Sequence, residues 1–379
     1  MALLSLAHAA PATALTAIGQ DLGLDDSQKG FLLGTVFAGM STAVLAAGAL
    51  ADRWGFRLLL AVGAALLSSG LAVMASAGGL GQALAGAFVL GLGAGTGDAL
   101  VTPIACAMYA DRRTRATNLL HSFYPIGLVL TVTTVLWLMS AGWSWRWTFA
   151  FLAAGPVPYV VAVLVVPLPT QTHEGPDRLR ARRVIRHGAF WLLLAAILLA
   201  GVAEIGPSAW LPAFVEQATG GTRQAGGLGL VFFGLTMAAG RLGTSALVGW
   251  LGPRRMFIAG AALSAACLLL SAYCAAVLQS SLLTVGALTV LGLGVAGMWP
   301  TIVGCAGDKY PRAGASMYSL LAATGNFGGV IGPAAIGLAS GSLGLGGAMA
   351  ALAAAPVLGA VCVAGLLRRG GCRRDGQGE

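Results

Sequence analysis

The stretch GALADRWGFR, Gly48 to Arg57, sets one acid and two arginines inside a chain otherwise dominated by Ala, Leu, Gly and Val. Apolar sequence runs up to it and resumes directly after it, so the charges sit on a short turn between two long hydrophobic segments. Each segment has about 20 residues, the length that crosses a hydrocarbon core of about 30 Å at 1.5 Å per residue. The same pattern extends outward over all 379 residues, of which 57% are hydrophobic and only 9% charged. A soluble domain carries roughly 25% charged residues. The chain therefore reads as an all-α membrane protein with twelve spans, at 2–19, 28–50, 57–77, 80–109, 117–140, 146–167, 188–214, 225–248, 255–278, 281–306, 315–339 and 343–367.

The first span lacks a basic leader, and Pro11 to Gln20 continues it as a membrane segment, so it is read as a span and not as a signal peptide. The net charge of +9 is a matter of topology, not of nucleic-acid binding. With the amino terminus on the cytoplasmic side, all but Lys29, Arg146, Arg223 and Arg241 of the 22 lysines and arginines fall on that side. This is the positive-inside pattern; it places both termini in the cytoplasm and the chain in a cell (inner) membrane. The six cysteines show no metal spacing and are read as small core residues, neither disulfides nor ligands.

The longest polar segment, PTQTHEGPDRLRARRVIRHG at Pro169 to Gly188, separates six spans from six. The expected organisation is an N-terminal bundle at 1–168, a cytoplasmic linker at 169–187 and a C-terminal bundle at 188–379 that ends in a short basic tail. The stretch GALADRWGFRLLL has an echo after the eighth span in ALVGWLGPRRMFI. Two such halves, related by an axis along the membrane normal, form the arrangement of alternating-access transporters, with the substrate site between them near the midplane.

Gly48, Leu50, Ala51, Asp52, Arg53, Gly55 and Arg57 match, position by position, the loop signature G-x-L-a-D-r-x-G-r-r of the major facilitator superfamily. The chain resembles that family along its whole length. The resemblance implies the major facilitator fold, two pseudo-symmetric six-helix bundles, and a gating latch made of Asp52, Arg53, Gly55 and Arg57. Asp111 would complete a charge relay at the inner end of the fourth span. Gly55 suits a tight turn, and an acid at a helix end can accept from a neighbouring helix N-terminus, here near Ala315.

Charges at bilayer depth are costly and thereby mark function. Asp98, in GLGAGTGDALVTP, is ringed by glycines and has Thr102 one turn away on its face. It is the first proton-coupling candidate; its structural alternative is a permanent pair with Arg241. Glu204, in GVAEIGPSAWLP, is the second, read toward the outer side in a broken helix end with Ser208, Trp210 and Pro212. Arg241 is read in the inner third, either neutralising Asp98, binding an anionic substrate or snorkelling to the surface. His8 and His121 complete the intramembrane set, each also readable as structural.

Several segments, GTGDALVTP, TNLLHSFYPIG, AEIGPSAWLPAF, FFGLTMAAGRLG and MWPTIVGCAG, look like the fucose-permease-like branch of the superfamily. That resemblance puts Asp98 where the branch carries its coupling acid. It makes Asn118 and Trp299 cavity candidates beside His8, Thr102, His121, Trp210, Arg241 and Asn326. The chain departs from the branch in having no acid in the first span and few amides. Gly328, Gly332 and Pro333 form a G-x-x-x-G-P element whose default role is packing. No Walker loop, metal cluster or Ser/His/Asp arrangement occurs, so the chain is not read as an enzyme, and no cofactor or metal is expected. The reading is a proton-coupled secondary transporter, a symporter acting as a monomer on a small-molecule solute in the lipid bilayer. A proton-driven exporter of amphipathic or cationic compounds, or a uniporter, is the alternative.

Overall fold

The computed structural model describes residues 1–109, 113–166, 184–310 and 314–368. Among them the chain is helical: α1 (Ser5–Leu22), α2 (Asp26–Ala75), α3 (Leu80–Met108), α4 (Arg113–Ser140), α5 (Trp145–Ala153), α6 (Val157–Val165), α7 (Gly188–Thr219), α8 (Arg223–Leu251), α9 (Pro253–Ala276), α10 (Ser281–Ala296), α11 (Met298–Lys309), α12 (Gly314–Ala351) and α13 (Ala354–Arg368). Among the described residues, eleven stretches are long and apolar enough to span, and Ala354–Leu366 is a shorter apolar helix. Large hydrophobic side chains such as Leu242, Leu282 and Val361 stand exposed along them. That surface suits lipid rather than water.

The expected second and third spans are one helical run, α2, folded back at Gly55 with φ 79° and ψ 159°. This region of backbone space is essentially closed to side-chain-bearing residues, so the turn that decides the fold needs its glycine. Gly252, between α8 and α9, has φ 78° and ψ 151°. The echo read from sequence is thus the same backbone turn made twice. The other positive-φ glycines pair likewise: Gly23 with Gly220 after α1 and α7, and Gly142 with Gly344 on the far side. The repeat also reaches the helix breaks. LAAGPV at Leu152–Val157 and LAAAPV at Leu352–Val357 coincide with the interruptions between α5 and α6 and between α12 and α13. In each, a proline falls at or within the first turn of the following helix, where its missing N–H costs no bond.

Where the sequence reading expected a broken end around Pro212, α7 is continuous through Pro207 and Pro212. Neighbouring helices supply what the prolines remove. The turn glycines define two faces, one carrying Gly55 and Gly252, the other Gly23, Gly142, Gly220 and Gly344. At the Gly23 face Arg146 bonds the carbonyls of Ala75 and Ala77, pairs with Asp21 at 2.6 Å and lies 4.6 Å over the Trp145 ring. It ties α1, α2 and α5 together there. Cys267, Cys274 and Cys362 are free thiols. Cys305 is disulfide-bonded, which corrects the reading of all cysteines as unpaired core residues; span hydropathy says nothing of which sulfurs meet.

Candidate functional site

The two halves meet through small residues on the Gly23 side of the molecule. A Cβ on Gly30 of α2 would stand 2.6 Å from the Pro333 carbonyl oxygen of α12, and one on Gly34 would stand 2.8 Å from that of Val330. Gly337 closes equally on Asp26. Between α4 and α8, Gln224 donates to Ser140 at 3.1 Å and Gly227 packs on Leu136. Ser41, whose hydroxyl donates to the Ala323 carbonyl at 3.3 Å, is the farthest of these contacts toward the Gly55 face. Leu45, one turn further on the same stripe of α2, is 57% exposed. Among the described residues the seam is tightly closed on the Gly23 side, and α2 becomes exposed toward the Gly55 side at Leu45.

Beside the closed seam, polar groups from both halves converge. His8 of α1 lies 3.3 Å from the Tyr124 hydroxyl of α4 through Nδ1, and 3.4 Å from the Ser208 hydroxyl of α7 through Nε2. Phe37 of α2 meets the His8 ring edge-on at 5.7 Å and packs against Gly329 of α12. Glu204, one turn from Ser208, pairs with Arg241 of α8 at 3.4 Å. The carboxylate side chain is 16% exposed and the guanidinium side chain 42%. Neutralising Asp98 is one of three roles the sequence offers Arg241, beside binding an anionic substrate and snorkelling to the surface; in the structure its partner is Glu204. Counting residues along a helix says nothing of its rotation, on which that pairing depends.

Asp98 is half-buried on α3, within electrostatic reach of the Tyr124 hydroxyl. Its neighbours Gly91 and Gly95 press against Val36, Gly39 and Met40 of α2, the close approach expected of its glycine-rich surroundings. Thr102 lies one turn further on and is engaged by a neighbour. Trp299 of α11 packs on Gly325. Asn326 is 7% exposed, one turn from Gly329 and so on the central face of α12. Trp210 is not a cavity residue. It is fully buried, and its indole N–H donates to the Pro333 carbonyl at 3.0 Å, joining α7 to α12. Gly332 of the G-x-x-x-G-P element lies against Gly206 and Gly328 against Val202, so the element packs helices as expected.

The latch residues divide. Arg57 donates to the Leu164 carbonyl at 3.1 Å and the Val166 carbonyl at 2.9 Å, capping the end of α6, while Arg53 is exposed. Asp111 and most of the linker lie outside the described residues, as do the side chains of Asp52, Asn118 and His121. Sequence reasoning missed Tyr124, hidden in the apolar run SFYPIGLVL, and a second polar group near the Gly23 face. There Thr16, Glu216 and Arg223 lie together, the Arg223 charge and the Thr16 hydroxyl both acting on the Glu216 carboxylate. A separate apolar cavity of about 240 Å³ lies inside the first half, lined by Leu4, Leu60, Gly63, Leu67, Phe123 and Tyr159. It is not part of the polar cluster.

Known proteins share this fold. The sequence profile of the Major Facilitator Superfamily matches residues 1–270 and 215–374. A bacterial homolog of the human lysosomal transporter Spinster, solved inward-facing and occupied, superposes with a TM-score of 0.82 at 14% identity, covering 97% of this chain and 94% of that one. The xylose transporter XylE from E. coli, partially occluded and inward open, gives 0.77 at 14% identity over 95% and 93%. The nucleoside transporter NupG gives 0.77 at 14% identity over 96% and 98%. The Myo-inositol transporter 1A of Cryptococcus neoformans var. grubii serotype A is 38% identical over 104 residues, 27% of this chain. That alignment spans 18% of the inositol transporter's own length.

Proposed function

The chain belongs to the Major Facilitator Superfamily, and on that premise we propose that it carries a small organic solute across the bilayer by alternating access, coupled to protons through Asp98 and Glu204. It is a membrane transporter and not an enzyme. One observation carries the reading: His8 and Tyr124 of the first half and Ser208, Glu204 and Arg241 of the second converge in one polar cluster between the halves. A solute held there touches both halves at once, so its binding bears directly on their relative position. With the Gly55 face in the cytoplasm of an inner membrane, as the positive-inside pattern places it, the conformation is inward-open. The inward-facing states named for the Spinster homolog and for XylE agree with that assignment.

The solute class favoured is neutral and polyhydroxylated, as named for the xylose, nucleoside and inositol relatives. The buried amide of Asn326 and the Glu204–Arg241 pair offer donors and acceptors to such a molecule. Asp98 takes the coupling role that the fucose-permease-like resemblance assigns to it, and the carrier works as a monomer. The second reading, export of an amphipathic cation, rests on Trp299 and the two acids.

The test is uptake into proteoliposomes under an imposed proton gradient, with labelled xylose, myo-inositol, nucleosides, organic acids and amphipathic amines. Accumulation of a hydroxylated solute that a protonophore abolishes is the expected result. Uptake indifferent to the protonophore means uniport, and proton-driven expulsion of amines means export.

A further inference from the structure

The hydrogen-bond chain that crosses between the halves fixes its own directions. Ser208 spends its single hydroxyl hydrogen on the Glu204 carbonyl at 2.7 Å. The arrangement that keeps this shortest bond has Ser208 accepting from Nε2–H of His8 and, in a neutral ring, Tyr124 donating to Nδ1.

We propose that His8 is a proton switch that sets the direction of the Tyr124 hydroxyl, a role resting on the transport reading above. A proton from cavity water binds the Nδ1 lone pair, the one that Tyr124 now occupies. The Tyr124 O–H rotates about its C–O bond, and its oxygen accepts from the new Nδ1–H. No other covalent bond changes. The freed hydroxyl hydrogen turns toward the cavity, where it serves a solute oxygen or an acid. Both His8 bonds persist and become charge-assisted, so loading tightens the tie of α1 and α4 to α7.

The groups that face this switch are fixed by the packing. Tyr124 comes from α4, Ser208 and Glu204 from α7, Arg241 from α8 and Asp98 from α3, the last three charged and each bearing electrostatically on the Tyr124 hydroxyl. From α2 comes Phe37, an uncharged ring packed edge-on. The cation formed at His8 keeps Tyr124 and Ser208 as its partners, while Glu204 keeps Arg241.

The experiment is nitrogen-15 NMR of imidazole-labelled full-length protein in lipid vesicles between pH 4 and 9, with tyrosine labelled at the ring carbon bearing oxygen. Replacing each of His8, His121, His173 and His187 in turn assigns the signals, so misfolding of any one variant leaves the assignment intact. At high pH His8 is expected as the Nε2–H tautomer. On acidification both nitrogens become protonated, and the Tyr124 carbon signal shifts with the same midpoint. Ser208→Ala releases the constraint and lets the Nδ1–H tautomer appear, which a merely packed histidine would not do. An Nδ1–H tautomer in the wild type, no protonation across the range, or a Tyr124 signal indifferent to the His8 midpoint overturns the proposal. Gradient-driven uptake is measured apart from these spectra, so the switch can fail while transport stands, and transport can fail while the switch titrates.

Discussion

The same helical element is built twice in this molecule, once as α3 and once as α10 with α11. LGLG at 90–93 returns as LGLG at 291–294. α3 ends at Tyr109 with φ −124° and ψ 55°, and α11 ends at Tyr310 with φ −129° and ψ 59°. Counted from the shared glycines, Asp98 of the first copy corresponds to Trp299 of the second. Backbone and packing residues are repeated, whereas the position near the polar cavity holds a carboxylate on one side and an indole on the other. The repeat preserves what the fold requires and diverges at the position proposed for proton coupling.

The largest expected effect tests that divergence. Asp98→Asn should cut gradient-driven accumulation at least about tenfold while leaving solute exchange near wild type, since the neutral amide keeps the shape and loses the titration. Trp299→Phe should change solute affinity only about twofold and leave proton dependence intact. Equal loss of coupling in both, measured by pH-jump uptake in vesicles, would break the comparison.

A step smaller, Gly55→Ala and Gly252→Ala should each lower unfolding stability by about 1–3 kcal/mol, because both impose a side chain on a glycine-only backbone conformation. The two costs should agree within about 0.5 kcal/mol if the turns are only structural repeats. Gly55→Ala alone slowing transport at matched stability would sharpen the asymmetry by assigning gating to the first turn.

Glu204→Gln has no counterpart in the other half and should cost about 1–2 kcal/mol in thermal unfolding. It leaves the Arg241 guanidinium unpaired, a penalty softened because that group is 42% exposed to water. The smallest effect concerns the paired tyrosines. Tyr109 is exposed, but the Tyr310 hydroxyl is buried without a partner beneath His187 and Phe190. Burial pushes the Tyr310 phenol up from its ordinary value. Its contribution is therefore complete below the ordinary tyrosine pKa of about 10 and is lost as pH rises beyond it. Tyr310→Phe should be neutral or stabilising by less than about 1 kcal/mol, and should remove that alkaline loss. Tyr109→Phe should change neither, as melting curves from pH 8 to 11 would show.

The fold was legible because bilayer thickness forces long apolar runs and because the Gly55 turn demands its residue type. The helix breaks were less so. Gly55 and Gly344 bend helices that otherwise continue, and Pro207 and Pro212, which look like breakers, are absorbed by packing. In the site, the acids, Arg241 and His8 were found because a polar side chain in an apolar run is conspicuous. Their pairing was not found, because it depends on how α7 and α8 are rotated against one another. Trp210 misled, since an indole beside prolines reads the same from sequence whether it lines a cavity or braces two helices. Tyr124 escaped because an aromatic in an apolar run announces nothing until His8 is placed beside it.

The seam between Gly30, Gly34 and Gly337 and the backbone they press against has a kinetic meaning. No rotamer is available there to give way, and each contact is main chain against main chain at close range. In the alternating-access cycle proposed above, a rocking motion of the halves would have to release the whole line together, so an outward passage would open as one all-or-none event. The rate of that event would then be set by a rigid zipper of missing side chains, and enlarging any single tooth would alter the frequency of opening without touching the solute.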